Sequence, residues 1–596
     1  MFRLKTLPTN CIRPLISIKW LNYASEAPKP QERNPIHETS TTLSMSSSDA
    51  SSTVTQMSQG PSTAEIKSRK VDYIVNPPDM FIKVEHLEPI PESEAMRKSL
   101  SFDEVPGPKA LRHLAKFWSF VPVMGTQVTA SAIQYLLSAG KIFGSQLSWG
   151  SNLWLFSRLL DEYGPVVRLH GPFGGDVVIL SRPEHASAVF QNEGRYPVRS
   201  SLDCVEKYRL QFRRYKQAGP FLMYGPDWEK LRELIEPCLQ NCIVQQYDQI
   251  EKSCDEFTTR ILRIRNRQEE VPPTFRNEIY KWAMECMCSV TLNRRLGFLD
   301  PCGLSATSEP ARLLEGLNGA TDAIRRCESG LHLWKFIETP AWKDLVKHCD
   351  IIDTIVNKYI HKAQDSLRQK KSGETVFIPE NVSLLETLLI KEGMLPEDVL
   401  TVILDMMLIG VNAISHSIAF LIYHLARNPR AQRKLYGEIR LSPTQLGRDD
   451  LPKMTYLQAC IKESLRLKPP MPILSRVLSK DILVHNYRIP KGTYILIATH
   501  LSSLREEHFE DAQRFKPDRW LDSDMQADTS VFASLPYGHG PKACLARELA
   551  EMEIALVIVK LLRKFRIEYH YGDINSTHRL LASPDRPLKF RFVDRF

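Results

Sequence analysis

The residue best placed for chemistry is Cys544, in the stretch Pro536-Tyr537-Gly538-His539-Gly540-Pro541-Lys542-Ala543-Cys544-Leu545-Ala546-Arg547. Two glycines and two prolines interrupt regular structure up to Ala543, whereas Glu548-Leu549-Ala550-Glu551-Met552-Glu553 opens strong helix-forming sequence. This pattern puts the sulfur where a tight loop becomes a helix N-terminus. Unpaired backbone N–H groups and the positive end of the helix dipole there favour thiolate over thiol. The result is a soft anionic ligand of the kind that binds haem iron; an inert buried thiol is the alternative. Two further pairs carry charge at helical spacing. Trp228 and Arg232 stand one turn apart on one face, where a surface cation–π pair is the plain reading. Glu463 and Arg466 stand at i and i+3, ordinarily a solvated ion pair.

Long elements must position these groups. Tyr163 to Leu169 and Asp176 to Leu180 alternate like a β-hairpin, and Ile482 to Thr499 reads as strands around Pro490-Lys491-Gly492. Glu397 to Leu425 is almost wholly apolar and lies between Pro396 and Pro429, which predicts one helix of roughly 45 Å. Asp405, Asn412, His416 and His424 within it favour a buried helix over a membrane span. Met407, Leu408, Val411 and residues 471–474 are apolar candidates for the wall of a pocket.

The order Tyr537-x-x-Gly540-x-x-x-Cys544-x-Ala546 resembles the haem-binding loop of the cytochrome P450 family, with Tyr, Lys542 and Ala546 where Phe, Arg and Gly are commoner. Four other segments follow in the family's order from Pro106 to the C-terminus. The resemblance implies a mainly α domain with a smaller β region, holding haem b between the Cys544 loop and the long central helix. It further implies Cys544 as axial ligand of the iron, and Trp228, Arg232, Arg476 and Lys542 as groups that bind the cofactor. Glu463, Arg466 and Arg519 match a buried network whose role in the family is structural.

One departure bears on mechanism. Where the family usually has an acid followed by Thr, the long helix reads Ile409-Gly410-Val411-Asn412-Ala413-Ile414-Ser415. Ala413 donates nothing, and Asn412 is no proton source at neutral pH. Oxygen activation needs protons on this face, so Asn412 and Ser415 are the remaining candidate catalytic residues, beside ordered water or a substrate hydroxyl.

The chain has 596 residues, 43% hydrophobic, and a formal charge of +9 with no Lys/Arg block of the kind that binds nucleic acid. Its 12 cysteines are scattered; Cys286-x-Cys288 and Cys238-x-x-x-Cys242 lack a second pair at zinc spacing. Residues 1–38 begin with Arg3, Lys5, Arg13 and Lys19 and no acid before Glu26, which reads as a mitochondrial presequence. The Ser/Thr-rich stretch over 39–70 is a linker, 71–105 a pre-domain segment, and 106–596 the haem domain.

The presequence, with Arg195-Tyr196-Pro197 and Tyr208-Arg209, resembles the family's mitochondrial class. That implies electrons from NADPH through a reductase and a [2Fe–2S] ferredoxin, on the matrix side of the inner membrane. Lys462 and Arg547, helped by Arg563 and Lys564, are the expected docking cations, although Gln458 and Glu548 replace two basic residues of the class. Trp334, Phe336, Ile337 and Trp342 are expected either to touch the membrane or to pack in the core. Three functions are consistent with the sequence. They are a monooxygenase acting on a lipophilic, steroid-like substrate, a haem-thiolate isomerase or lyase, and a haem-binding protein without turnover.

Overall fold

Period-two alternation builds the smaller, β part of the molecule, and the strands fall at β1 (Val166–Leu169), β2 (Val177–Leu180), β3 (Leu474–Val477), β4 (Ile482–Val484), β5 (Tyr487–Ile489) and β6 (Tyr494–Ile497). β1 and β2 pair antiparallel, Val167 opposite Ile179, as the hairpin pattern predicts. β2 runs parallel to β6 and β6 antiparallel to β3, giving one four-stranded sheet ordered β1-β2-β6-β3. This register sets Arg476 opposite Ile495, so β3 carries its guanidinium into the molecule from a rigid strand. The computed structural model describes residues 99–109, 111–113, 152–170, 176–199, 202–300, 303–328, 333–371, 383–521, 530–578 and 581–595. The expected presequence and linker lie outside these residues. Leu100 already bridges to Tyr487, and Phe102 packs on the core beneath the sheet, so the folded part takes in residues ahead of Pro106.

Helices form the larger part. Pro183 starts α1 (Pro183–Gln191), where its missing N–H costs nothing. The short α2 (Asp203–Lys207) runs into a π-helical turn, Tyr208–Phe212. Next come α3 (Gly225–Gln245), α4 (Tyr247–Ile264) and α5 (Phe275–Leu292). α5 is buried on nearly all sides and stops at Asn293, whose φ of 49° is a left-handed cap. α6 (Glu309–Glu328) and α7 (Pro340–Lys371) pack against each other.

The long apolar run is a helix from Pro396 to Arg427, roughly 48 Å at 1.5 Å per residue, with most of its apolar window buried. The sequence predicts one regular helix; the structure interrupts it. α8 (Pro396–Asp405) passes through a π-helical turn, Met406–Gly410, into α9 (Val411–Arg427). A π turn widens the helix by one residue and is found mostly where function demands a local change of face. Behind it stand α10 (Pro429–Leu441) and α11 (Thr455–Leu467), and α12 (Arg547–Lys564) follows the Cys544 loop; these helices share a single hydrophobic core with α3 to α9.

Candidate functional site

The Cys544 loop is shaped by two glycines in left-handed conformation, Gly538 at φ 74° and Gly540 at φ 71°. Gly540 is also required by packing, since a Cβ there would lie 2.2 Å from Glu193 Oε1. Residues Gly540–Lys542 form a 3-10 turn, and the Cys544 N–H donates to Tyr537 O at 2.9 Å, closing the loop. α12 begins only at Arg547, three residues after the cysteine, so Cys544 precedes the helix rather than starting it. Cys544 is the one exposed thiol among the ten described cysteines. Enclosure by protein pushes its thiol up from the ordinary value, against the Ala546 N–H, which donates to the sulfur, and the charges of Arg232, Arg199 and Arg547. The donors expected at the sulfur are present, and enclosure opposes them. A cation bound at the sulfur would reverse that balance.

Around this loop the fold gathers positive charge. Arg232 on α3 donates to Ala543 O at 3.0 Å, and Trp228 one turn earlier is buried under the Lys542 ammonium, 3.6 Å from its ring centroid. The predicted shared face of Trp228 and Arg232 is thus present, and Lys542 also donates to Met223 O at 2.6 Å. Arg476 arrives from β3, ion-paired to Glu193 at 2.5 Å and donating to His539 O at 3.4 Å. Arg199 completes the group, donating to Phe221 O at 2.8 Å with its guanidinium 4.2 Å from the Phe221 ring centroid.

Four cations, Arg199, Arg232, Arg476 and Lys542, thus stand near one buried carboxylate, Glu193. The excess shows in their ionisation. Burial and then Arg199, Arg476 and Arg232 bring the Lys542 ammonium down to about 6, and burial with Arg476 brings Arg199 to about 10. Buried like charges are tolerated where an anion joins them. A haem, whose two carboxylates would meet the cations while its iron takes the sulfur, fits this donor set. Among the described residues no group of three or more His, Cys, Asp or Glu forms a metal site of its own.

Arg199 and Glu193 were not singled out from sequence. Arg199 belongs to Arg195-Tyr196-Pro197-Val198-Arg199, where the extended residues after proline gave the signal: Val198 bridges to Val477, beside Arg476. Nothing in the local pattern marks Glu193.

The long helix presents an accessible stripe of its own. Met406, Ile409, Gly410 and Ala413, at i, i+3, i+4 and i+7, keep accessible surface, as does Asn412, while Met407, Leu408 and Val411 are fully packed in the core. The predicted pocket wall is therefore shifted: helical geometry turns the stripe through Ile409 and Ala413 outward. Asn412 donates its amide hydrogens to Leu408 O at 2.7 Å and to Thr321 Oγ1 on α6 at 3.1 Å. Ser415 does not join it. Two residues beyond Ala413, it sits about 200° round the helix, buried, with an Oγ that has no hydrogen-bond partner.

At the start of the π turn, Asp405 pairs with Arg209 at 2.7 Å, both buried, and accepts the Phe221 N–H at 2.8 Å. Since Phe221 O accepts from Arg199, the backbone of one residue links the long helix to the cation cluster.

The expected network brings Glu463, Arg466 and Arg519 together, with Arg519 Nη1 left without a partner. The Glu463 carboxylate accepts from Arg466 Nε and Nη2 at 2.9 and 2.8 Å, Arg519 Nε at 3.2 Å, Trp520 Nε1 at 2.9 Å and the Lys516 N–H at 3.0 Å. Of the expected docking cations, Lys462 and Lys564 are exposed and Arg547 pairs with Glu551 at 2.9 Å. Arg563 is not available, because it holds Thr444 O, Pro443 O and Ser442 Oγ. The aromatic cluster between α6 and α7 divides in two. Trp334 and Trp342 stack in the core with centroids 5.7 Å apart, while Phe336 and Ile337 are 67% and 61% exposed.

Comparison with known proteins follows the geometry. The cytochrome P450 family model matches residues 137–592. Cytochrome P450 CYP12A2 of Musca domestica is 31% identical over 457 residues, covering 73% of this chain and 84% of that protein. Mitochondrial cytochrome P450 302a1 of Drosophila melanogaster is 29% identical over 442 residues, covering 72% and 86%. In three dimensions the crystal structure of the cytochrome P450DA haem domain superposes with a TM-score of 0.60 at 17% identity, covering 75% of this chain and 92% of that one. With its cysteine loop, the cations around it and its long helix in the family's order, the chain belongs to the cytochrome P450 family, an oxidoreductase of the monooxygenase type.

Proposed function

We propose that this protein is a mitochondrial haem-thiolate monooxygenase that inserts one oxygen atom from O2 into a lipophilic, steroid-like or other lipid substrate. The observation that carries this reading is the accessible Cys544 set beside four cations, of which Arg476 and Lys542 are buried, with only Glu193 and Glu236 ion-paired to them. Cys544 would ligate haem b, the Ala546 N–H would hold the sulfur's charge, and Arg199, Arg232, Arg476 and Lys542 would take the carboxylates, with Trp228 stacked beneath Lys542. Thiolate-ligated haem supplies oxygen chemistry at a carbon that water and protein alone cannot oxidise. The stripe of Met406, Ile409, Gly410 and Ala413 is apolar and suits a substrate with few polar groups. Asn412 orients through its free carbonyl and supplies no proton, so protons must come through water or from the substrate itself.

The basic residues Lys462 and Arg547 are the docking cations for a [2Fe–2S] ferredoxin fed by NADPH and its reductase; several relatives are named as mitochondrial proteins. Exposed Phe336 and Ile337 would rest on the inner membrane from the matrix side. A second reading, a haem-thiolate isomerase or lyase, draws on the fixed Asn412 and on Ala413. Turnover of candidate lipids with NADPH, reductase and ferredoxin under air and under argon decides between them. Product that carries oxygen from labelled O2 and vanishes under argon supports the monooxygenase; equal yield under argon supports the isomerase or lyase.

A further inference from the structure

Glu193 follows α1 and is the buried acid ion-paired to the cation cluster; the other, Glu236 beside Arg232 at 3.8 Å, is exposed. The side chains of Glu193 and Arg476 are almost completely buried, and Glu193 Oε2 meets Arg476 Nε at 2.5 Å. The other oxygen, Oε1, has no hydrogen-bond partner and lies where a Gly540 Cβ would have to stand. The carboxylate is thus wedged between β3 and the loop that carries Cys544. Arg476 is held from three sides: by Glu193, by Ser475 O at 2.8 Å and by His539 O. Its guanidinium also lies 4.9 Å from the Phe190 ring centroid.

A buried carboxylate costs solvation energy that a neutral amide of the same shape would not. Gln at this position would still offer an oxygen to Arg476 Nε. The geometry needs the acceptor; it does not need the charge. We propose that Glu193 is a positioning residue whose negative charge, fixed against the Cys544 loop, offsets the cation cluster and holds the potential of the iron low. The inference rests on the haem reading above. A fixed anion near a redox centre stabilises its oxidised, more positive form, and low effective dielectric in the interior extends the reach of that charge.

The test compares the full-length, haem-loaded wild type with Glu193→Gln and Glu193→Asp by spectroelectrochemical titration, with haem content and the reduced carbon-monoxide spectrum read on the same samples. The proposal expects a positive shift of the midpoint potential in Glu193→Gln at unchanged haem content, and return of most of that shift in the charge-retaining Glu193→Asp. Gly540→Ala reaches the same contact from the loop side and, by displacing the carboxylate, shifts the potential in the same direction; it decides the matter if Glu193→Gln does not accumulate as folded protein. Equal potentials with intact spectra, a negative shift, or an equal shift in Glu193→Asp and Glu193→Gln would overturn it. Failure of the haem reading looks different: the wild type itself would then give no thiolate-type spectrum.

Discussion

The Glu463 network and the cations around the Cys544 loop both bury guanidinium groups, yet they are wired in opposite ways. Glu463 and Arg466 are fully enclosed, and the one carboxylate receives five hydrogen bonds from Arg466, Arg519, Trp520 and Lys516. Arg466 spends its remaining donors on Ser503 O, Ala512 O and Arg514 O. In the loop cluster Glu193 is ion-paired to Arg476 alone, and burial, then the cationic neighbours, bring Lys542 down to about 6. The Glu463 network sets one carboxylate against two guanidinium groups, whereas the loop cluster carries a larger excess of cations, which a bound anion would offset.

The largest effect expected from this contrast is on the scaffold side. Glu463→Ala leaves two buried guanidinium groups unpaired and should cost about 3–5 kcal/mol of stability, read as a lowered urea midpoint. A loss below about 1 kcal/mol would erase the distinction between the two regions. Lys542→Met should behave differently, because it removes a mutually repelling cation and keeps a stem against Trp228. Haem should dissociate roughly 10- to 100-fold faster, matching about 1.5–3 kcal/mol for a charged hydrogen bond, while the apoprotein unfolds no more easily than wild type. An apoprotein weakened as much as Glu463→Ala would mean that this cluster, too, is scaffold.

Smaller effects sharpen the comparison on the long helix. Ser415→Ala removes a buried, unpartnered hydroxyl and should leave product formation unchanged while stability holds or rises by about 1 kcal/mol. A fall in turnover would return Ser415 to the site. A further effect is pH-dependent and belongs to the scaffold. Burial brings His424 down to about 3 from 6.5, with its Nδ1 on Ser464 Oγ and its ring stacked on Phe515. Between those values the unfolded chain binds the extra proton, so the stability His424 contributes is present above 6.5 and is lost as pH falls through about 3. His424→Gln should flatten the slope of unfolding free energy against pH in that window; an unchanged slope would show that His424 is not the titrating group.

Reading the site from sequence worked where spacing is the physics. Trp228 and Arg232 share a face because helices repeat every 3.6 residues, and Glu463 and Arg466 meet for the same reason. The hairpin over 163–180 is equally local. What could not be read is what depends on contacts far along the chain. Glu193 finds Arg476 across 283 positions, and Asp405 finds Arg209 across 196. The choice of wall on the long helix hung on which face the core claims, which put Ile409 and Ala413 on the accessible side instead of Met407 and Val411. The loop was expected to become helix at Cys544, and the helix starts instead at Arg547; helix-dipole reasoning also contains no desolvation.

The central claim is that Cys544 binds haem iron as a thiolate. It is tested most directly by the carbon-monoxide difference spectrum of the haem-loaded chain, reduced by NADPH through reductase and ferredoxin, for wild type and Cys544→His. The account predicts a thiolate-type Soret shift in wild type that disappears in Cys544→His while haem remains bound. The same spectrum in both proteins, or none in wild type even after chemical reduction, would contradict it.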